Sequence, residues 1–162
     1  MLFRSVNGYS EKQLAELFIK YGEEQKGRAV MFARVIVHHR PIQTTKELAE
    51  LIRVRIHGYS KIHPATKIFQ AIRIAVNDEL GQIEKTLPLL PQLLNKDGRL
   101  GIITFHSLED RLVKDFYKKA SSHGEESTLA ILTKKPIIAD PQELVINPRA
   151  RSAKLRVAIK RI

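Results

Sequence analysis

Apolar residues recur every three or four positions through most of the first half of the chain. Leu14, Leu17, Phe18 and Tyr21 share one helical face, and Ser10 with Gln13 ahead of them has the capping-box form. Gly22 or Gly27 is placed to loosen the end of that helix. Ala29, Phe32, Ala33 and Ile36 repeat the spacing until Arg40-Pro41, where the residue before proline is driven out of the α region. A second capping box, Thr44 to Glu47, opens a third helix bearing Leu48, Leu51 and Ile52. These short amphipathic helices predict a small helical subdomain. Past a loop at His57 to Ser60, Pro64 suits the first turn of a longer helix with Phe69, Ile72, Val76, Leu80 and Ile83 inward, ending before Pro88.

The pattern then changes. Lys96-Asp97-Gly98 is turn chemistry, and Arg99 to Phe105 is nearly continuously apolar, as expected of a strand buried on both faces. Ser107 is placed to cap a following helix with Leu108, Leu112, Val113, Phe116 and Tyr117 inward. After a polar loop from Ser121 to Thr128, Leu129 to Leu132 reads as a short strand. Leu155, Val157 and Ile159, alternating with Arg156, Ala158 and Lys160, read as a clearer one. The order is helices, then strand, helix, strand, strand: an α/β chain whose sheet is small and only partly covered.

Composition adds direction to this frame. The 162 residues carry a net charge of +11, are 43% hydrophobic and 28% charged, and include no cysteine. Wholesale disorder, a disulfide framework and a cysteine-ligated zinc site are thereby excluded. No apolar run is long enough to span a membrane, and Met1 to Gly8 lacks a signal peptide's extended apolar stretch, which makes a cytoplasmic address the expectation. The charge is uneven: residues 1–75 hold thirteen Lys+Arg against six Asp+Glu, residues 76–120 seven of each, and residues 121–162 eight against four. Basic ends around a neutral centre point to a polyanion, most plainly nucleic acid.

Three segments carry candidate chemistry. The first, Phe105 to Asp110, lies at the carboxyl end of the apolar strand, where open α/β sheets bind ligands. There Ser107 and Asp110 read first as helix-start residues, while His106 is balanced between capping and chemistry. A Ser-His-Asp hydrolase is a poor fit, because Ser107 lacks the G-x-S-x-G elbow. The second, Asn147 to Arg156, presents Arg149, Arg151 and Lys154 near a proline turn, with forks suited to phosphate; Arg156 reads as part of a charged strand. The third is His63-Pro64-Ala65-Thr66-Lys67 with Gln70 and Arg73, which share a polar helix face that solvation alone also explains. Histidine spacing suggests no metal site, and no glycine-rich nucleotide loop appears.

Taken in order, Tyr21-Gly22-Glu23-Glu24, Thr45 to Ala49, His63 to Lys67 with Phe69 to Arg73, Gly98-Arg99-Leu100, Phe105 to Arg111 and Asn147 to Arg156 resemble one family. It is the bacterial 16S ribosomal RNA cytosine-N4 methyltransferase family, of the RsmH or MraW type, and the resemblance covers nearly the whole chain. It implies a class I methyltransferase with a Rossmann-like sheet, S-adenosylmethionine as methyl donor, and a helical subdomain inserted before the FHSLEDR strand. Residues 1–62 would be that helical part and residues 63–162 the C-terminal part of the methyltransferase domain. The substrate would be a cytidine amine of the small ribosomal subunit, whose base must leave its stack to react. His106, Ser107, Glu109 and Asp110 match the post-strand motif on the active-site side. Arg149, Arg151 and Lys154, with His63, Lys67 and Arg73 of the earlier segment, are the implied RNA contacts.

The family's glycine-rich turn and acidic ribose contact belong to an N-terminal half with no counterpart in Met1 to Gly8, so no cofactor-binding position carries over. The expectation is a C-terminal portion of the enzyme, with 16S rRNA and a separate N-terminal half as partners. The alternative is a non-catalytic RNA-binding or ribosome-assembly module derived from it. A helical DNA-binding regulator is a third class, for which no recognition helix is specified.

Overall fold

In the computed structural model, residues 2–56, 63–122 and 127–162 are described. They fall into two compact units, Met1–Glu79 and Leu80–Ile162. The loop read at His57 to Ser60 lies outside the described residues.

The first unit is helical: α1 (Leu2–Gly8), α2 (Glu11–Gly22), α3 (Lys26–His38), α4 (Thr45–Arg53) and α5 (Ala65–Asn77). Both capping boxes form. Ser10 Oγ accepts from the Gln13 amide at 3.2 Å while Gln13 Oε1 accepts from the Ser10 amide at 2.8 Å. Thr44 and Glu47 do the same at 3.1 and 3.2 Å. The apolar stripes of α2, α3 and α4 meet in one core in which Leu14, Phe18, Phe32, Ile36, Leu48 and Ile52 are fully buried. Ile68, Ala71 and Ile72 of α5 enter the same core. By contact, therefore, α5 goes with the helices before it, although its sequence position groups it with the residues after 63.

Gly22 is needed for close approach, since a Cβ there would sit 3.0 Å from the Lys67 carbonyl oxygen and 3.4 Å from Ala71 Cβ. The chain leaves α2 through Glu23 in the left-handed region (φ 49°), while Gly27 lies inside α3 with open space around it. The helix α1 has no periodic signal long enough to read. It is held by Asn7, whose side-chain amide bonds the Ile42 carbonyl and amide at 2.8 and 2.9 Å.

The long helix expected after Pro64 is interrupted. Asp78 adopts a left-handed conformation (φ 50°), so α5 stops at Asn77 and α6 runs separately from Glu79 to Thr86. Pro88 and Pro91 then fall in a 3₁₀ segment, Leu87–Leu93.

The second unit is a mixed α/β layer. The strands β1 (Arg99–Thr104), β2 (Leu129–Ile131), β3 (Ile137–Ile138) and β4 (Lys154–Lys160) form one antiparallel sheet around β4. One edge of β4 takes β1, with Leu100 opposite Ala158, Ile102 opposite Arg156 and Ile103 opposite Leu155. The other edge takes β2 and then β3. The two short pieces are separated where Leu132 and Thr133 both donate to the Val157 carbonyl, while Thr133 Oγ1 accepts from the Val157 amide. One helix, α7 (Ser107–Ala120), covers one face. Its Val113 and Tyr117 are buried against Leu129 and Ala158 of the sheet, and the Tyr117 hydroxyl donates to the Leu100 carbonyl at 2.8 Å. Burial pushes the Tyr117 phenol up to about 12.

The expectation that β1 is buried on both faces is corrected. Its residues alternate, with Ile103 58% exposed and Phe105, just past its end, 54% exposed, because α7 covers only the Leu100–Ile102 face. The faces of β4 are also unequal in an unexpected sense. Arg156 and Ala158 are buried under α7, whereas Leu155, Val157 and Ile159 are only half-buried on the uncovered side.

Candidate functional site

The turn after β1 is built by its own side chains. His106, in extended backbone, is the N-cap of α7, and its Nδ1 accepts from the Glu109 amide at 3.3 Å. Glu109 reaches back, its Oε2 accepting from the Phe105 amide at 2.8 Å and the His106 amide at 3.3 Å. This corrects the expected cap: Ser107 is the first helical residue and is exposed, and the imidazole does the capping. Because Nδ1 accepts, the ring proton of a neutral His106 sits on Nε2. That atom is buried, 3.3 Å from Glu109 Oε1 but outside hydrogen-bond geometry. Burial pushes the Glu109 carboxyl up, yet bonds from His106 and the Phe105 amide outweigh it and hold the group below its ordinary range.

Asp110 joins this turn to the C-terminal basic motif. Its oxygens take Arg156 Nε at 2.7 Å and Nη2 at 3.1 Å, a bidentate pair that is nearly buried on both sides. Lys154 Nζ approaches the same carboxylate at 3.5 Å from a half-exposed position. The Arg156 bonds hold Asp110 below the usual aspartate range against the desolvation that would raise it. Asp110 and Arg156 are thus committed to each other. In the sequence Arg156 reads only as part of a charged strand, and nothing local announces this pairing, because the partners stand 46 positions apart.

Arg149 and Arg151 lie on a 3₁₀ turn, Pro148–Ser152, whose Ala150 is buried and anchors it. Both arginines are exposed and make no ion pair among the described residues. The earlier segment, in the helical unit, is differently placed. Lys67 Nζ donates to the Glu23 carbonyl at 3.3 Å, His63 Nδ1 accepts from the Ala65 amide at 3.2 Å, and Arg73 makes a bidentate pair with Glu79 at 2.9 and 3.0 Å. All three are surface groups with local partners.

Beside the turn, a cleft of about 310 Å³ is lined mainly by apolar side chains, including Ile83, Leu87, Leu90, Ile102 and Val113, with Glu109 at its margin. It does not fit S-adenosylmethionine as it stands. The Glu109 carboxylate is occupied by backbone amides, and among the described residues no glycine-rich turn lines the cleft to admit a cofactor's polar end. Among the described residues, no helix is long and apolar enough to cross a membrane.

A mixed α/β chain whose post-strand turn is bonded to a C-terminal basic strand is the arrangement these residues define. The chain belongs to the MraW methylase family, which it matches over residues 3–161. It is 52% identical over 96% of its length to the ribosomal RNA small subunit methyltransferase H of Synechocystis sp., covering 49% of that protein. The namesake proteins of Picosynechococcus sp. and Acidobacterium capsulatum are 53% and 48% identical over 94% and 96% of this chain, which covers 51% and 52% of them. The chain thus spans about half the length of the curated relatives it matches.

Proposed function

We propose that this chain supplies the RNA-facing, sheet-closing portion of an S-adenosylmethionine-dependent, cytoplasmic 16S rRNA cytosine-N4 methyltransferase with a Rossmann-like catalytic sheet. The observation that carries the reading is the union of two motifs through Asp110, Arg156 and Lys154 in a chain that matches the family nearly end to end. The cofactor would be held by the part of the relatives' length that this chain does not span, supplied as a separate N-terminal half. Residues 1–62 would be the inserted helical subdomain.

In this reading His106, Glu109 and Asp110 are positioning residues. His106 Nδ1 and the two carboxylates are taken up in fixing the turn and β4, and those carboxylates, held below their ordinary range, are weak proton acceptors. Ser107, by contrast, is exposed at the helix start. Arg149, Arg151 and Lys154 contact the rRNA phosphates, with His63, Lys67 and Arg73 as a second basic set on the helical unit.

The test is transfer of a labelled methyl group from S-adenosylmethionine to small ribosomal subunits. It compares this chain alone with this chain plus the separately expressed N-terminal half of a relative. Label is expected on the cytidine amine only when both are present. Tight binding of S-adenosylmethionine by this chain alone would overturn the division of labour. Retained RNA binding without transfer in the mixture would leave a non-catalytic RNA-binding module instead.

A further inference from the structure

The segment between β2 and β4 has a second property besides its charge. Val145 is 83% exposed and Ile146 86%, at the end of the short helix α8 (Pro141–Ile146). Ile137 and Ile138 of β3 are exposed as well. A single exposed apolar side chain needs no explanation, but here α8 and β3 both pack against the Pro148–Ser152 turn, so the four belong to one lobe. That same turn carries Arg149 and Arg151.

The connection is tight. The Asn147 amide donates to the Glu143 carbonyl, and the Asn147 carbonyl accepts from the Ala150 amide at 3.0 Å. Two apolar tips and two guanidinium groups are therefore presented within one bonded turn. Of the lobe's acidic residues, Asp140 caps the start of α8 by accepting from the Glu143 amide at 2.8 Å, and Glu143 stands in its first turn, three residues before Ile146.

We propose that this lobe is a wedge for RNA: Arg149, Arg151 and Lys154 grip phosphates while Val145 and Ile146 enter between neighbouring bases and hold the stack open. Apolar wedges flanked by basic phosphate contacts are how nucleic-acid steps are unstacked. A base whose exocyclic amine is to react has to leave its stack. A protein partner fits this patch less well, because burying unpaired guanidinium groups would require matching carboxylates, whereas RNA supplies a phosphate at each step. The uncovered face of the sheet, with Ile103 and Phe105 beside an unpaired strand edge, is the more protein-like surface. The wedge rests on the proposed RNA function and deepens it.

The full chain is titrated with an RNA hairpin carrying 2-aminopurine next to a paired cytidine, following both anisotropy and 2-aminopurine fluorescence. Binding by the wild type should raise the fluorescence severalfold. Val145→Ser with Ile146→Ser should still bind through the phosphate contacts yet lose most of that rise, and Val145→Ile with Ile146→Leu should keep it. Arg149→Ala with Arg151→Ala should weaken binding more than tenfold and lower the salt slope by about two.

Binding by the wild type without a fluorescence rise overturns the wedge and leaves the RNA reading standing. Absence of binding overturns both. A serine double variant that keeps the rise but no longer associates with a relative's N-terminal half would assign the patch to protein docking instead. Circular dichroism of each variant separates these outcomes from misfolding.

Discussion

Asp110 ties the turn after β1 to the strand β4. It holds Arg156 in a nearly buried bidentate pair and keeps Lys154 within reach. Removing one partner of such a pair leaves the other charge uncompensated, so Asp110→Ala should cost roughly 3 kcal/mol in urea unfolding. The paired change Asp110→Leu with Arg156→Met should cost less than either single substitution, because no charge is then stranded. The pH dependence follows from the direction of the shift. The folded carboxyl titrates below the unfolded one, so its stabilisation is fully present above the ordinary aspartate pKa, about 4. That stabilisation is lost as pH falls through the lowered folded value. Asp110→Asn should therefore be less stable near neutrality and show a flatter acid limb when urea midpoints are compared down to about pH 3. An acid limb identical to wild type would mean that the pair contributes nothing to stability.

At the scale of elements, what could be read from the sequence was local. Ser10 with Gln13 and Thr44 with Glu47 were legible because a capping box is complete within four residues. The strand at Leu155 to Ile159 was legible by alternation, but its orientation was not, since the face bearing Arg156 is buried only because Asp110 waits across the sequence. The apolar run of β1 resembles a doubly covered strand, and nothing within the run reveals that this chain covers one face. The helix α8 was missed because Val145 and Ile146 face water and make no periodic stripe. Gly22 shows the same limit: it was legible as a helix end, while its contact with α5 was not. That contact is backbone on one side, so a Cβ cannot be accommodated by rotating a side chain. Gly22→Ala should lose about 1 kcal/mol, overpacking outweighing the gain in helix propensity, and Gly22→Val roughly 2–3 kcal/mol. Thermal unfolding of the two variants measures this, and a stabilised alanine variant would show that α2 and α5 can part without cost.

For the molecule as a whole, the +11 charge and the open sheet pull in different directions. The charge is spread over both units and opposes association of like chains. The sheet invites it. Among the described residues β1 pairs only with β4, so its other edge is unpaired, and the adjoining face exposes Ile103 and Phe105 beside half-buried Leu155 and Val157. Long-range repulsion between exposed charges is screened beyond about 10 Å at 0.1 M salt, whereas strand pairing and apolar contact act at touching distance. Raising the salt should therefore promote self-association of this chain. Sedimentation velocity at increasing protein concentration and salt should show oligomers for the wild type and a monomer for Ile103→Lys, which places a charge on the open face beside the free edge without touching the core under α7. A relative's N-terminal half, if it seats on the same face, should suppress the oligomers of the wild type as it binds. A wild-type chain that stays monomeric at every concentration and salt would mean that β1 is protected by its surroundings, and the open edge would then not be a docking surface at all.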